Sequence, residues 1–79
     1  MKNLEIGTKY KHYKNKKHIY EIIGMARNSE TLEEMVVYRA LYDSLDFGKD
    51  CLWVRPKAMF LENVDVDGLR GPRFEYIGE

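Results

Sequence analysis

Apolar positions in this chain recur at every second residue in short runs, not at every third or fourth. From His18 to Arg27 the residues Tyr20, Ile22, Gly24 and Ala26 fall on one side, while Ile19, Ile23 and Met25 fall on the other with Glu21 and Arg27. Alternation with apolar residues on both sides predicts a central strand, or one curving through a barrel wall, and Gly24 marks where a sharp bend is tolerated. Met35 to Tyr42 predicts its neighbour, with Met35, Val37, Arg39 and Leu41 on one face and Val36, Tyr38, Ala40 and Tyr42 on the other. A helix over the same stretch is the weaker reading. Thr31-Leu-Glu-Glu34 fits a capping box, but Val36-Val37-Tyr38 favours a strand and no clean helical stripe is present.

Shorter strands are predicted at Tyr10–Tyr13, Cys51–Arg55, Leu61–Val66 and Arg73–Ile77. Polar breaks separate them: Lys14-Asn15-Lys16-Lys17 has hairpin-loop length, Asn28–Glu34 holds cap residues Ser29 and Thr31, and Asp43–Asp50 is a loop whose Leu45 and Phe47 fold back onto the core. Pro56 ends a strand because it has no N–H for the ladder, and Lys57-Ala58-Met59-Phe60 has the length of one 3-10 turn. Asp67-Gly68 signals a tight hairpin that sends Arg73–Ile77 back antiparallel. The fold expected is all-β: a small SH3-like antiparallel barrel of five to six strands with one short 3-10 turn, since closure removes exposed edges. Residues 1–8 read as a loosely ordered lead-in and residues 9–79 as a single domain.

Composition narrows the class. At 79 residues the chain makes one domain that buries only about 60–65% of its unfolded surface, so every large apolar side chain counts. Hydrophobic residues at 44%, charged residues at 33% and a mean hydropathy of −0.54 describe an ordinary globular domain. No apolar run approaches the ~20 residues of a membrane span, and no secretory pattern opens the chain, so a cytoplasmic location is expected. Cys51 is the single cysteine. A disulfide within the chain and a thiolate zinc site are thereby excluded, and its apolar neighbours suit a small buried side chain better than a nucleophile.

The net charge of zero is unevenly spread. Residues 1–27 carry +5 and residues 28–79 carry −5, an asymmetry that serves an anionic partner or pairs internally once strands lie side by side. Two constellations stand out. Arg27, Ser29, Glu30 and Thr31 sit at a strand-to-loop junction, with Tyr38 and Arg55 near if the strands are neighbours. Two guanidinium groups, a carboxylate and a phenol can hold a phosphate, carboxylate or nucleobase. The same residues equally make a structural network in which Glu30 pairs with Arg27 or Arg55 and Ser29 and Thr31 hold the loop. The second is the basic hairpin Lys9, Tyr10, Lys11, Tyr13, Lys14, Lys16 and Lys17, where lysines suit phosphates and tyrosines suit stacked bases of single-stranded RNA or DNA. Set against this, a solvated hairpin tip with tyrosines in the core uses the same residues.

His12 and His18 face one another across a short hairpin but have no third ligand at suitable spacing, so no metal is expected. Trp53, Phe60, Tyr42, Phe74 and Tyr76 read first as core. No nucleophile–base order, paired-carboxylate spacing or phosphate loop is present, and neither catalysis nor a cofactor is expected.

Taken together, several ordered words resemble a small bacterial family known as domain of unknown function 1653. They are Tyr10-Lys-His-Tyr-Lys14, Tyr20, Ala26-Arg27, Ser29-Glu-Thr-Leu-Glu33, Val36-Val-Tyr-Arg-Ala-Leu-Tyr42, Leu52-Trp-Val-Arg-Pro56, Met59-Phe60 and Pro72-Arg-Phe74. The resemblance implies a domain boundary without a reaction. It also implies a histidine where this chain has Asn28, which speaks against an essential imidazole there, and a shorter link in place of Asp43–Asp50. The expectation is a non-enzymatic module binding a protein, a peptide or a small polar ligand at the Arg27/Glu30/Tyr38/Arg55 face, as monomer or weak homodimer. Nucleic acid at the 9–20 hairpin is the alternative.

Overall fold

The computed structural model describes residues 4–15, 17–66 and 68–78. The chain runs through β1 (Lys9–His12), β2 (Ile19–Arg27), β3 (Glu34–Ala40), β4 (Asp43–Ser44), β5 (Gly48–Lys49), β6 (Leu52–Pro56), α1 (Lys57–Phe60), β7 (Asn63–Val66), β8 (Leu69–Pro72) and β9 (Phe74–Gly78). Five of these strands form one antiparallel sheet in the order β6-β3-β2-β1-β9, and β4–β5 and β7–β8 are separate two-stranded hairpins. The fold is thus all-β with a single helical turn.

Cross-strand partners share a face. Tyr10 lies opposite Tyr20 and Tyr76, Tyr20 opposite Ala40, Ile22 opposite Tyr38, Tyr38 opposite Trp53, and His12 opposite Phe74. This inner face carries the core: Tyr10, Tyr20, Ile22, Val36, Tyr38, Ala40 and Phe74, capped by Phe60 from α1. Val36, Tyr38 and Ala40 are the side expected of β3, and the strand reading holds over the helical one. Leu4, Tyr42 and Trp53 rest against the same cluster. Gly7 and Thr8, just before β1, are tied in as well: the Gly7 N–H donates to the Ile22 carbonyl and the Ile22 N–H to that of Thr8, each at 2.9 Å, and Thr8 is fully buried.

The β2 alternation breaks at its middle. Ile22 pairs with Tyr38 and Gly24 with Val37, leaving Ile23 as the extra residue of a bulge. One added residue inverts every later side chain. Gly24 and Ala26 therefore join the outer face, and Met25 and Arg27, opposite Val36 and Glu34, join the inner one. This reverses the assignment drawn from simple alternation.

Four further expectations are corrected. The barrel does not close: the sheet curls until Arg55 of β6 overlies the Phe74 ring of β9 at 5.5 Å, yet the two edge strands do not pair. Pro56, opposite Met35, is the last residue of β6, and the chain leaves through α1 into a hairpin of its own. That hairpin, not Arg73–Ile77, takes the return after residue 67: Asn63–Val66 pairs with Leu69–Pro72. Gly68 supplies a positive φ of 80° there, and Asp67 lies outside the described residues. Phe74–Gly78 pairs with β1 instead. The turn at Lys57–Phe60 is α-helical, closed by the Leu61 N–H donating to the Lys57 carbonyl at 3.0 Å. Finally, 43–50 contains the β4–β5 hairpin, Leu45 is fully exposed, and Phe47, though exposed, sets its ring edge-on to Trp53 at 5.1 Å without joining the core.

Candidate functional site

The six residues singled out in sequence do not form one pocket. Arg27 closes β2, and its Nη1 donates to the Leu32 carbonyl at 2.9 Å. Ser29, Glu30 and Thr31 are exposed, and no ion pair joins Glu30 to Arg27 or Arg55 among the described residues. The loop is organised by Asn28, which sequence reasoning passed over. Its Oδ1 accepts the N–H groups of Glu30 and Thr31 at 2.9 and 3.3 Å, its N–H donates to the Glu33 carbonyl at 2.9 Å, and its own carbonyl accepts from Leu32 at 2.7 Å. Leu32 takes a positive φ of 64° to complete the turn. An Asn preceding Ser and Thr is the signal that could have revealed it.

Tyr38 and Arg55 are brought together. Arg55 pairs with Val36, one inward position from Tyr38, and its Nε donates to the Tyr38 hydroxyl at 3.4 Å. Arg27 is on the same inner face but two strands away and one inward position further along. Strand spacing puts its Cα about 12 Å from that of Arg55. The guanidinium of Arg55 lies instead above Phe74, a cation–π arrangement at 5.5 Å. Phe74 is stacked on Phe60 with centroids 4.2 Å apart and takes the edges of Tyr20, Tyr38 and His12 at 5.7, 5.6 and 5.1 Å. The charge thus rests on a rigid aromatic floor.

Around this floor stand hydroxyl and imidazole groups. Tyr20 and Tyr42 share a hydrogen bond of 2.8 Å between their hydroxyls, and His18 stacks on Tyr42 at 3.9 Å. Burial, then the Tyr42 hydrogen bond, hold the Tyr20 phenol well above its ordinary value, so it is a neutral group. Burial, followed by the positive charges of Arg55 and Arg73, pushes the His12 imidazole below its usual value. Its Nδ1 accepts the Lys14 N–H at 3.2 Å. Half-buried Arg55 has no carboxylate within ion-pair distance among the described residues, whereas Arg39, Arg70 and Arg73 pair with Glu21, Asp65 and Glu62. Among the described residues no group of three or more side chains could hold a metal ion.

The basic hairpin is partly consumed by the fold. Tyr10 is 3% exposed, its hydroxyl accepts the Leu4 N–H at 3.0 Å, and Lys11 pairs with Glu75 at 3.6 Å. Lys9 and Tyr13 are half-buried, Lys14 and Lys17 are exposed, and Lys16 lies outside the described residues. A cleft of about 190 Å³ lies beside it, with Lys11, His12 and Tyr13 on one wall and Val64, Arg70 and Pro72 on the other. Its Lys11 and Arg70 already face Glu75 and Asp65. A shallower cleft, about 210 Å³, runs along Met25, Ala26, Arg27 and Glu34.

What these features define is a small curled antiparallel sheet domain carrying one arginine over an aromatic floor at its inner face. The chain belongs to the protein family of unknown function DUF1653, whose model matches residues 8–76. A crystal structure of a member of that family from Bordetella bronchiseptica is similar to it throughout, with 36% sequence identity, a TM-score of 0.77, and coverage of 99% of this chain and 92% of that one. No match is found among curated proteins. No described helix is long and apolar enough to cross a membrane.

Proposed function

We propose that this domain is a non-enzymatic binding module that takes the anionic group of a polar ligand or peptide at the Arg55–Tyr38 end of its inner face. The observation that carries the reading is Arg55 itself: a guanidinium laid over Phe74, with a single long hydrogen bond to Tyr38 and no carboxylate beside it among the described residues. Five N–H donors are available on such a group, and four remain for a planar carboxylate or a phosphate. The Tyr38 hydroxyl adds a second hydrogen-bonding partner beside the guanidinium. Arg27, Ser29, Glu30 and Thr31 extend the same face only for a ligand long enough to span the distance between the two arginines.

The test is a ¹H–¹⁵N NMR titration with sodium acetate, sodium phosphate and a short C-terminally free peptide at fixed ionic strength. Shifts centred on the Arg55 Nε–H and on the amides of Tyr38 and Phe74 are expected, and they should vanish in Arg55→Met. That variant should keep its melting temperature within a few degrees, since Met retains the packing stem. Shifts spread evenly over surface lysines, or a sharp loss of stability in Arg55→Met, would assign Arg55 to the scaffold. Single-stranded RNA serves as the comparison arm for the 9–20 hairpin, where burial of Tyr10 and pairing of Lys11 have already removed two of the groups the alternative needs.

A further inference from the structure

The outer side of β6 is an unpaired edge. The Ala40 N–H donates to the Cys51 carbonyl at 2.8 Å. Hydrogen-bonded and non-hydrogen-bonded pairs alternate along an antiparallel ladder. Trp53 and Arg55 therefore direct their backbone groups at β3, while Leu52, Val54 and Pro56 direct theirs away from it. No described strand other than β3 pairs with β6. The Leu52 carbonyl receives only a long contact from its neighbour's Sγ, at 3.6 Å. The same two residues expose apolar side chains, Leu52 at 59% and Val54 at 57%, and Val54 stands beside Val37 on the outer face. An edge with open donors, open acceptors and bare apolar side chains is a template for strand addition.

We infer that β6 pairs antiparallel with β6 of a second copy of this chain, Trp53 opposite Trp53 and Leu52 opposite Val54 of the partner. In that register Leu52 and the partner's Val54 exchange both hydrogen bonds, and the two-fold axis repeats the exchange, so four backbone bonds form. On the outer face each Leu52 meets a Val54. The strand ends agree with a copy of itself better than with a longer peptide. Pro56, which has no N–H to offer, falls opposite Asp50, whose positive φ of 56° already turns the chain out of the strand. Both partners thus stop pairing at the same place, and a longer strand would face Pro56 with an unmet acceptor. Charge complements this: β6 is entered from Asp50 and left through Lys57, so antiparallel copies set an acidic end beside a basic end twice. The interface is isologous and closes as a dimer. It is small, on the order of 800 Å² in total, at the low end of specific interfaces, and the association is correspondingly weak and dynamic.

Sedimentation velocity of the full chain, over concentrations from micromolar to millimolar, reads the equilibrium. Wild type is expected to pass from monomer to dimer, and Leu52→Lys and Val54→Glu, each on its own, to shift the midpoint at least tenfold upward. An equimolar mixture of the two variants should dimerise again, because the register sets the introduced lysine directly opposite the introduced glutamate. Circular dichroism melts confirm that both variants are folded, as expected of substitutions on an exposed face. A wild type that stays monomeric throughout would overturn the inference and leave the edge to a foreign strand. Single variants that dimerise as wild type does, or a mixture with no recovery, would equally overturn the β6 register.

Discussion

Replacing Phe60 by alanine is expected to cost this fold a large share of its stability. The side chain is 1% exposed, its ring lies flat on Phe74 at 4.2 Å, and it receives the edges of Tyr10 and Tyr38, each at 5.3 Å. Truncating a buried Phe to Ala costs about 3–5 kcal/mol through lost transfer energy and the cavity left behind. The contacts with three aromatic rings place this position toward the upper part of that range, since such pairs add about 0.5–1.5 kcal/mol beyond area. A domain of this length is stable by roughly 4–12 kcal/mol, so about 4 kcal/mol is a third or more of the whole. Urea unfolding followed by tryptophan fluorescence of Trp53 measures it. With a slope near 1 kcal/mol per molar, a value suited to small domains, the midpoint falls by about 3–4 M or the variant is unfolded in buffer. Phe60→Leu, which keeps most of the volume, is expected to lose only about 1.5 kcal/mol. A loss below about 1 kcal/mol for Phe60→Ala would refute the reasoning, because it would mean that α1 merely covers the sheet and that the floor under Arg55 is held by other contacts.

Three other outcomes follow from the same geometry. The folded-state pKa of His12 lies below its unfolded value of 6.5. The unfolded chain therefore binds the proton more readily, and this group's stabilisation is present above pH about 6.5 and is lost as pH falls beneath it. His12→Gln should flatten that acid limb in melts between pH 7 and 5, and Arg55→Met should move the His12 NMR titration upward, by removing the second-largest cause of its shift. Tyr20 is the converse case, with a raised folded pKa: its stabilisation is complete below pH about 10 and declines above it, and Tyr20→Phe should weaken this alkaline loss in melts while costing about 1 kcal/mol for the Tyr42 bond. Asn28→Ala removes an acceptor from two N–H groups at an exposed loop; a stability loss of about 1 kcal/mol with unchanged core chemical shifts is expected, and loss of the core spectrum would show that the loop is part of the folding unit.

Local signals and distant ones had different fates in the sequence. The β3 face, the break at Pro56 and the positive-φ turn at Gly68 were legible, because each depends on residues within one or two positions of one another. The bulge at Ile23 was not. Alternation alone sets Arg27 opposite Tyr20, and only the pairing of Gly24 with Val37 shows that it has crossed to the inner face; Gly24 hinted at a bend without saying which residue would be extra. The partner of β9 was equally hidden. The chain does return through Gly68, but the residues returned are Leu69–Pro72, and Phe74 finds β1, some sixty residues earlier, through long-range pairing. The site suffered most from this. Arg55 and Tyr38 are neighbours because β6 follows β3 in the sheet, as strand order suggested, while the contact that defines the charge's setting, Arg55 over Phe74, spans the two outermost strands and depends on how far the sheet curls.

Strand β6 shows why the two proposals stand independently. A period of two divides its residues: Trp53 and Arg55 turn their side chains to the inner face and their backbone groups to β3, and Leu52 and Val54 turn their side chains outward and their backbone groups to the open edge. A charge introduced at Leu52 or Val54 changes the edge without touching the floor beneath Arg55. A methionine at Arg55 removes the guanidinium without altering the edge ladder. Anion shifts should therefore survive in the edge variants, and dimerisation should survive in Arg55→Met. If Arg55→Met abolishes dimerisation as well, the inner and outer faces of this strand are coupled through Trp53, which lies opposite its own copy in the inferred register and beside Tyr38 within one chain.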